Sequence, residues 1–184
     1  MAAASRLRAC TRTTAHRHDS IPAAVTAPRA LGPFEVTVTE DPAAFERPLD
    51  DHAAVVFLAT SGEVLTPAGR EHPAAHVESG GGFAGVHAVA CAEYDRPYYG
   101  DLLGARFDRH PAHQPGKAVI EDRTFYEGGG TGADHRLARC HEKGEGRDFC
   151  TALGHAAEAY EDPDFRAHLP GGINWAVRPG TNGG

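Results

Sequence analysis

The sequence predicts an α/β fold, a mostly parallel sheet with helices on both faces. Three observations carry that expectation. Short apolar runs rich in β-branched residues alternate with helix-like stretches along the 184 residues, the pattern of successive strand–helix–strand units. One run, AAVVFLAT (53–60), is almost continuously apolar, as a strand covered on both faces must be. Asp41-Pro42 and Asp162-Pro163 each set a capping carboxylate before a proline at the first helical position.

In chain order, the first strand is expected at RLRAC (6–10), where Arg6 and Arg8 suit a half-exposed strand better than a central buried one. Ser20 before IPAAV marks the start of the first helix. FEVTVT (34–39) and AAVVFLAT follow as strands two and three. FAGVHA (83–88), KAVIE (117–121) and RDFCTAL (147–153) are weaker strand candidates. In the helix opened by Asp162, Phe165 and Leu169 stand four apart and share a face. The stretch 122–135, DRTFYEGGGTGADH, reads as a glycine-rich loop, and 178–184 as a disordered tail. The boundaries expected are an extension over 1–7, one domain over 8–177 and that tail.

Bulk properties exclude several classes. A net charge of −7 disfavours a nucleic-acid or anionic-membrane surface. No apolar run approaches the roughly 20 residues that span a bilayer. Cys10, Cys91, Cys140 and Cys150 are widely spaced with no CxxC pair, and read as reduced thiols of a cytoplasmic protein. The N-terminal stretch holds four arginines and no acid before Asp19. It lacks the apolar centre of a secretory signal; its composition admits a transit peptide, and the plainer reading is a poorly formed strand and a loop.

The unusual count is histidine, at 12. In a parallel sheet, ligands bind outside the carboxyl ends of the strands, so histidines at strand ends are the candidates. His18, after the first strand, sits beside Asp19, although Asp19 or Ser20 capping a helix beside a solvated His18 is the simpler account. Glu40 ends the second strand and has no visible structural duty. Thr60 and Ser61 end the third. His87 stands at a strand-to-helix elbow, GGGFAGVHA, where α/β enzymes present a Ser or Cys nucleophile. There it would serve as acid/base, electrophile or metal ligand, with Cys91 one helical turn on and packed. Asp134, His135 and His141 follow a glycine-rich loop that lacks the Lys and Ser/Thr of a phosphate-binding loop. His155 follows TALG at a strand end. These positions form one rim cluster by expectation. His52, His72, His76, His110, His113 and His168 read as surface or loop residues.

RTTAHRHDSIP, FEVTVTEDPAAF, AVVFLATSGEVL, GGGFAGVHA, AEYDRPYYGDLLGARFDRHPA, GGTGADHRLARCHE and FCTALGHAAEAYEDPDFRAHLPGGINWA, in order over residues 8 to 176, resemble the ThuA-like, or trehalose-utilisation, domain. The resemblance implies a flavodoxin-like fold of the class I glutamine amidotransferase superfamily. His stands where the amidotransferases carry Cys, so glutamine hydrolysis is not implied. It implies a role in metabolism of trehalose or related disaccharides, through 3-keto-glycosides, as a hydrolase or lyase. The implied pocket holds His18, Glu40, His87, Asp134, His135, His141 and His155. We assign His87, His18, His135 and His155 to catalysis and Glu40, Thr60, Asp134 and His141 to substrate binding. A divalent metal such as zinc or manganese is an admitted cofactor, a small-molecule sugar the expected partner, and a homo-oligomer an admitted assembly. The chain departs from the family in its arginine-bearing first strand, its short linker before FEVTV and a missing segment between residues 125 and 128. That last departure keeps open a non-catalytic sugar-binding or decayed domain.

Overall fold

The computed structural model describes residues 4–108 and 137–178. Strand β1 (Ser5–Cys10) leads through helix α1 (Ile21–Leu31) to β2 (Phe34–Thr39). Strand β3 (Ala54–Leu58), α2 (Pro67–Glu78), β4 (Gly82–Val86) and α3 (Pro97–Leu103) follow. Strands β5 (Ala138–Lys143) and β6 (Gly146–Thr151) precede the closing helix α4 (Pro163–Ala176). The six strands form one sheet in the order β2-β1-β3-β4-β6-β5. Every pairing is parallel except β5 against β6.

Residue alternation divides the core between the faces. Ala54, Val56 and Leu58 of β3 join Leu7, Ala9, Ala84, Val86 and Phe149 beneath α1 and α4. Val55 and Phe57 join Phe83, Val77, Tyr99, Leu102 and Leu103 on the face of α2 and α3. The expected helix face of α4 is buried, with Phe165 and Leu169 in the first of these clusters. Asp162 caps α4, accepting the N–H groups of Asp164 and Phe165 at 2.9 and 3.0 Å.

Several local expectations need correction. Strand β1 lies inside the sheet, between β2 and β3. It tolerates its arginines because they alternate with the fully buried Leu7 and Ala9: Arg8 is only partly buried, and the exposed Arg6 pairs with Asp51 in solvent. The strand begins at Ser5, within the residues set apart as an extension. Asp41-Pro42 opens only a 3₁₀ turn, Pro42–Phe45, whose Phe45 is fully buried. Ser20 precedes α1 without a side-chain capping bond; it is buried and its hydroxyl is unpartnered. Helix α2, not singled out in the sequence, is capped by Thr66 and has proline at its first turn. His76 is buried within α2 at 8% exposure and His168 is half-buried within α4, so neither is a surface or loop residue, whereas His52 is a loop residue, buried at 5% exposure. The KAVIE strand candidate, the loop 122–135, His110 and His113 lie outside the described residues. No helix among the described residues is long and apolar enough to cross a membrane.

Candidate functional site

The strand order places the loops after β1 and β3 side by side while their connections run to opposite sides of the sheet. Such a reversal opens a crevice at the carboxyl ends, where α/β sheets bind ligands. Three histidines come to these ends from three loops: His18 after β1, His87 after β4 and His155 after β6.

His87 is the first residue beyond β4. It takes φ +42° and Ala88 takes φ +48°, left-handed conformations that cost a non-glycine residue about 1–2 kcal/mol. The turn is held by the His87 N–H bond to the Thr151 carbonyl at 2.8 Å. It folds back so closely that a Cβ on Gly85 would meet Val89 at 2.7 Å and the Cys150 sulfur at 2.9 Å. The elbow read in the sequence is therefore built, and its apex carries an imidazole.

The ring is oriented by the backbone. His87 Nδ1 lies 3.0 Å from the Ala152 carbonyl. A carbonyl only accepts, so Nδ1 carries the proton and Nε2 carries the lone pair. His155 Nδ1 lies 3.1 Å from that Nε2. The His18 ring stands edge-on to both, 4.4 Å from the His87 centroid and 5.1 Å from that of His155. His16 in turn packs edge-on against His18 at 4.5 Å. Burial, together with the neighbouring imidazoles of His87, His16 and His155, pushes the His18 pKa from 6.5 down to about 4. Its Nδ1 is buried without a hydrogen-bond partner.

The ligand atoms of His18, His87 and His155 all lie within 4.8 Å of one another. Three nitrogens bound to one zinc-like ion at about 2.0–2.1 Å would be about 3.3 Å apart. The His87–His155 pair is already at that spacing. The set fits a divalent cation on chemistry as well: His18 is neutral at pH 7, one of its nitrogens lacks a partner, and His87 has the backbone-anchored far nitrogen typical of a metal-binding imidazole.

The other expected site residues lie elsewhere. Glu40 is exposed at the end of β2, accepting Arg17 Nη2 at 2.7 Å and Thr11 Oγ1 at 3.5 Å. Its duty is to tie loop to strand, and it is not among the converging ligand atoms. Thr60 is fully buried at the end of β3 with its hydroxyl unpartnered. His141 stands apart from these three: it sits within β5, opposite Asp148 and with its Nδ1 3.1 Å from that carboxylate. Because β5 runs antiparallel, each step along it leads away from the ligand end; three steps beyond Ala138 put His141 about 10 Å down the sheet. Asp134 and His135 lie outside the described residues. The four cysteines are free, and burial raises the pKa of each, that of Cys10 to about 12. None is a ready thiolate, in keeping with histidine at the elbow.

The sequence reading missed His16, the Ala152 carbonyl and Glu93, a carboxylate with no exposure in the loop after β4. The only local signal for Glu93 is an acid beside small residues in VACAEY, which does not separate a buried carboxylate from a surface one.

Comparisons with known proteins agree with this architecture. The ThuA model, described as trehalose utilisation, matches residues 8–128 and 122–176. The two matches overlap at 122–128, where the sequence places the missing segment. No curated protein matches the chain. The fold is similar to that of a ThuA-like protein from Parabacteroides merdae, with TM-score 0.66 and 15% identity over 94% of this chain and 90% of that one. It is also similar to a ThuA-like protein from Bacteroides uniformis, with TM-score 0.63 and 17% identity over 96% and 93% of the two chains. With the family model spanning nearly all of β1 to α4, this chain belongs to the ThuA, or trehalose-utilisation, family.

Proposed function

We propose that the chain acts on a sugar derivative, a 3-keto-glycoside of trehalose or a related disaccharide, at the His18–His87–His155 triad. The observation that carries this reading is the orientation of His87. Its Nδ1–H is spent on the Ala152 carbonyl, so its Nε2 lone pair faces the other two imidazoles. Such a group takes a proton from a sugar hydroxyl or donates its electron pair to a cation. His18, His87 and His155 would hold such a cation, and zinc or manganese bound there would supply Lewis-acid polarisation of a substrate oxygen.

The protein's own groups then have separate duties. His87 presents its Nε2 from a rigid turn. His18, neutral because burial and three neighbouring rings oppose its charge, offers a lone pair at pH 7 without first losing a proton. His155, exposed at the outer side of the triad, lies where a hydroxyl or glycosidic oxygen can approach. The reaction class is hydrolysis or elimination at a keto-glycoside, and glutamine hydrolysis is excluded by the imidazole at the elbow.

A second reading is favoured by one observation, the overlap of the two family matches at 122–128. A chain lacking a segment there would bind sugar without turning it over. Incubation with 3-keto-trehalose, with and without zinc, followed by chromatographic product analysis separates the two. Product formation that is lost in His87→Ala supports the enzyme. Saturable sugar binding by calorimetry without product supports the binding module, and neither binding nor turnover refutes both.

A further inference from the structure

The three imidazoles arrive from three separate loops, after β1, β4 and β6. A carboxylate nearby in sequence is fully buried. Glu93 lies six residues beyond His87, at φ +47°. Its Oε1 accepts the N–H groups of Val64 and Leu65, each at 2.8 Å, and its Oε2 accepts Nε–H of Arg70. Three donors on one buried carboxylate offset the cost of desolvating it. Arg106 ties down the same segment, donating to the carbonyls of Ala92, Glu93 and Arg96.

These bonds join the loop after β4 to the loop after β3. The backbone adds Glu93 N–H to the Gly62 carbonyl at 3.1 Å and Gly62 N–H to the Cys91 carbonyl at 3.0 Å. The loop after β3 is tied in turn to the loop after β1. Ser61 Oγ donates to the His16 carbonyl at 2.5 Å, Thr14 N–H to the Ser61 carbonyl at 2.9 Å, and Thr14 Oγ1 to the Glu63 carbonyl at 3.2 Å. A continuous set of bonds therefore runs from the loop of His87, through Glu93 and Ser61, to the loop of His18.

We propose that Glu93, clamped by Arg70, is the positioning residue that sets His18 against His87. It holds the loops after β1, β3 and β4 in register and touches neither ion nor sugar. The inference rests on reading the triad as the functional site, but what it asserts is a ring placement observable without either ligand.

Glu93→Gln keeps an acceptor for Val64 and Leu65 but turns an NH₂ toward Arg70, two donors facing each other. Ser61→Ala removes the side-chain bond to the His16 carbonyl, the link nearest His18, and leaves the Thr14 bonds and the buried carboxylate intact. In metal-free protein at pH 7.5, the NMR resonance of His18 Hε1 is displaced by the ring current of His87, 4.4 Å away. His168 of α4, packed against Phe149 of β6 at 5.3 Å, is the internal control. Both variants are expected to move the His18 resonance and leave that of His168 in place. Each is also expected to weaken Co²⁺ binding, followed by visible absorption, by about 10–100-fold, with native far-UV circular dichroism. An unmoved His18 resonance in both variants overturns the proposal. If Glu93→Gln does not fold, Ser61→Ala decides alone, and an unmoved resonance there overturns it equally. Failure of the wild-type protein to bind Co²⁺ would count against the cation reading, while the His18 resonance would still judge Glu93.

Discussion

At His87, function and stability pull in opposite directions. Its left-handed backbone costs about 1–2 kcal/mol that glycine would not incur, while its Nδ1 bond to Ala152 returns about 1 kcal/mol. His87→Gly is therefore expected to unfold in urea within about 1 kcal/mol of the wild type, or to be more stable. The same change should weaken Zn²⁺ affinity by on the order of 100-fold or more, read by competition with a chromophoric chelator, since it removes a ligand and not merely a supporting group. A clearly destabilised variant would show that the elbow is held mainly by the imidazole. His18 sets the response to acid. Its pKa falls from 6.5 to about 4 on folding, chiefly through burial. Burial also lowers those of His52, His76 and His168. Each of these rings binds fewer protons folded than unfolded. Stability is thus full above about pH 6.5 and is lost as pH falls toward 4. Urea midpoints should drop between pH 7 and pH 5, and His18→Gln should flatten part of that slope. A pH-independent midpoint over this range would show that the rings are solvated.

The elements that carry the site are held by caps and close packing. Asp162 accepts two backbone N–H groups at the start of α4, so Asp162→Ala is expected to cost about 1 kcal/mol. Gly82 opens β4 directly beneath the end of α4, where an added Cβ would lie 2.5 Å from the Ala176 carbonyl oxygen. Gly82→Ala must push a helix away from a strand, and is expected to cost about 1–3 kcal/mol. Thermal denaturation of both variants checks the two values. A neutral Gly82→Ala would mean that α4 slides freely on the sheet. Strand β5 shows how direction along an element decides a residue's use. Because it runs antiparallel to β6, its His141 pairs with the buried Asp148 in mid-sheet and not with the triad.

Across the whole molecule, the triad links three separate loops, so a cation there would tie them together in the folded state alone. With Zn²⁺ at a free concentration one hundred times its Kd, unfolding should become harder by about 2.7 kcal/mol. For a chain of this size that is a rise of about 5–11 °C in Tm. Circular dichroism melts with chelator and then with zinc measure it, and His18→Ala should abolish the rise. An unchanged Tm in the wild type would remove the cation from the proposed function.

Much of this architecture was legible along the chain. The apolar run 53–60 and the alternating FEVTVT fix strands because period-two burial is a local property. Asp162-Pro163 fixes a helix start because capping involves only neighbouring residues. The small residues around Gly85 announce the elbow, because only a glycine there leaves room for the turn to close. His18, His87 and His155 could be nominated from their places at strand ends, but nothing local says that they meet. Their meeting depends on strand order, which brings the ends of β1, β3, β4 and β6 together across up to 137 residues of sequence, from His18 to His155. The same long-range packing buried His52 and His76, turned Asp41-Pro42 into a single 3₁₀ turn and carried His141 away from the site. It also made Glu93 a clamp. Periodicity and capping act over a few residues and can be read in order. The environment of an ionisable side chain is set by whatever the fold lays against it, so it emerges only when the sheet is assembled.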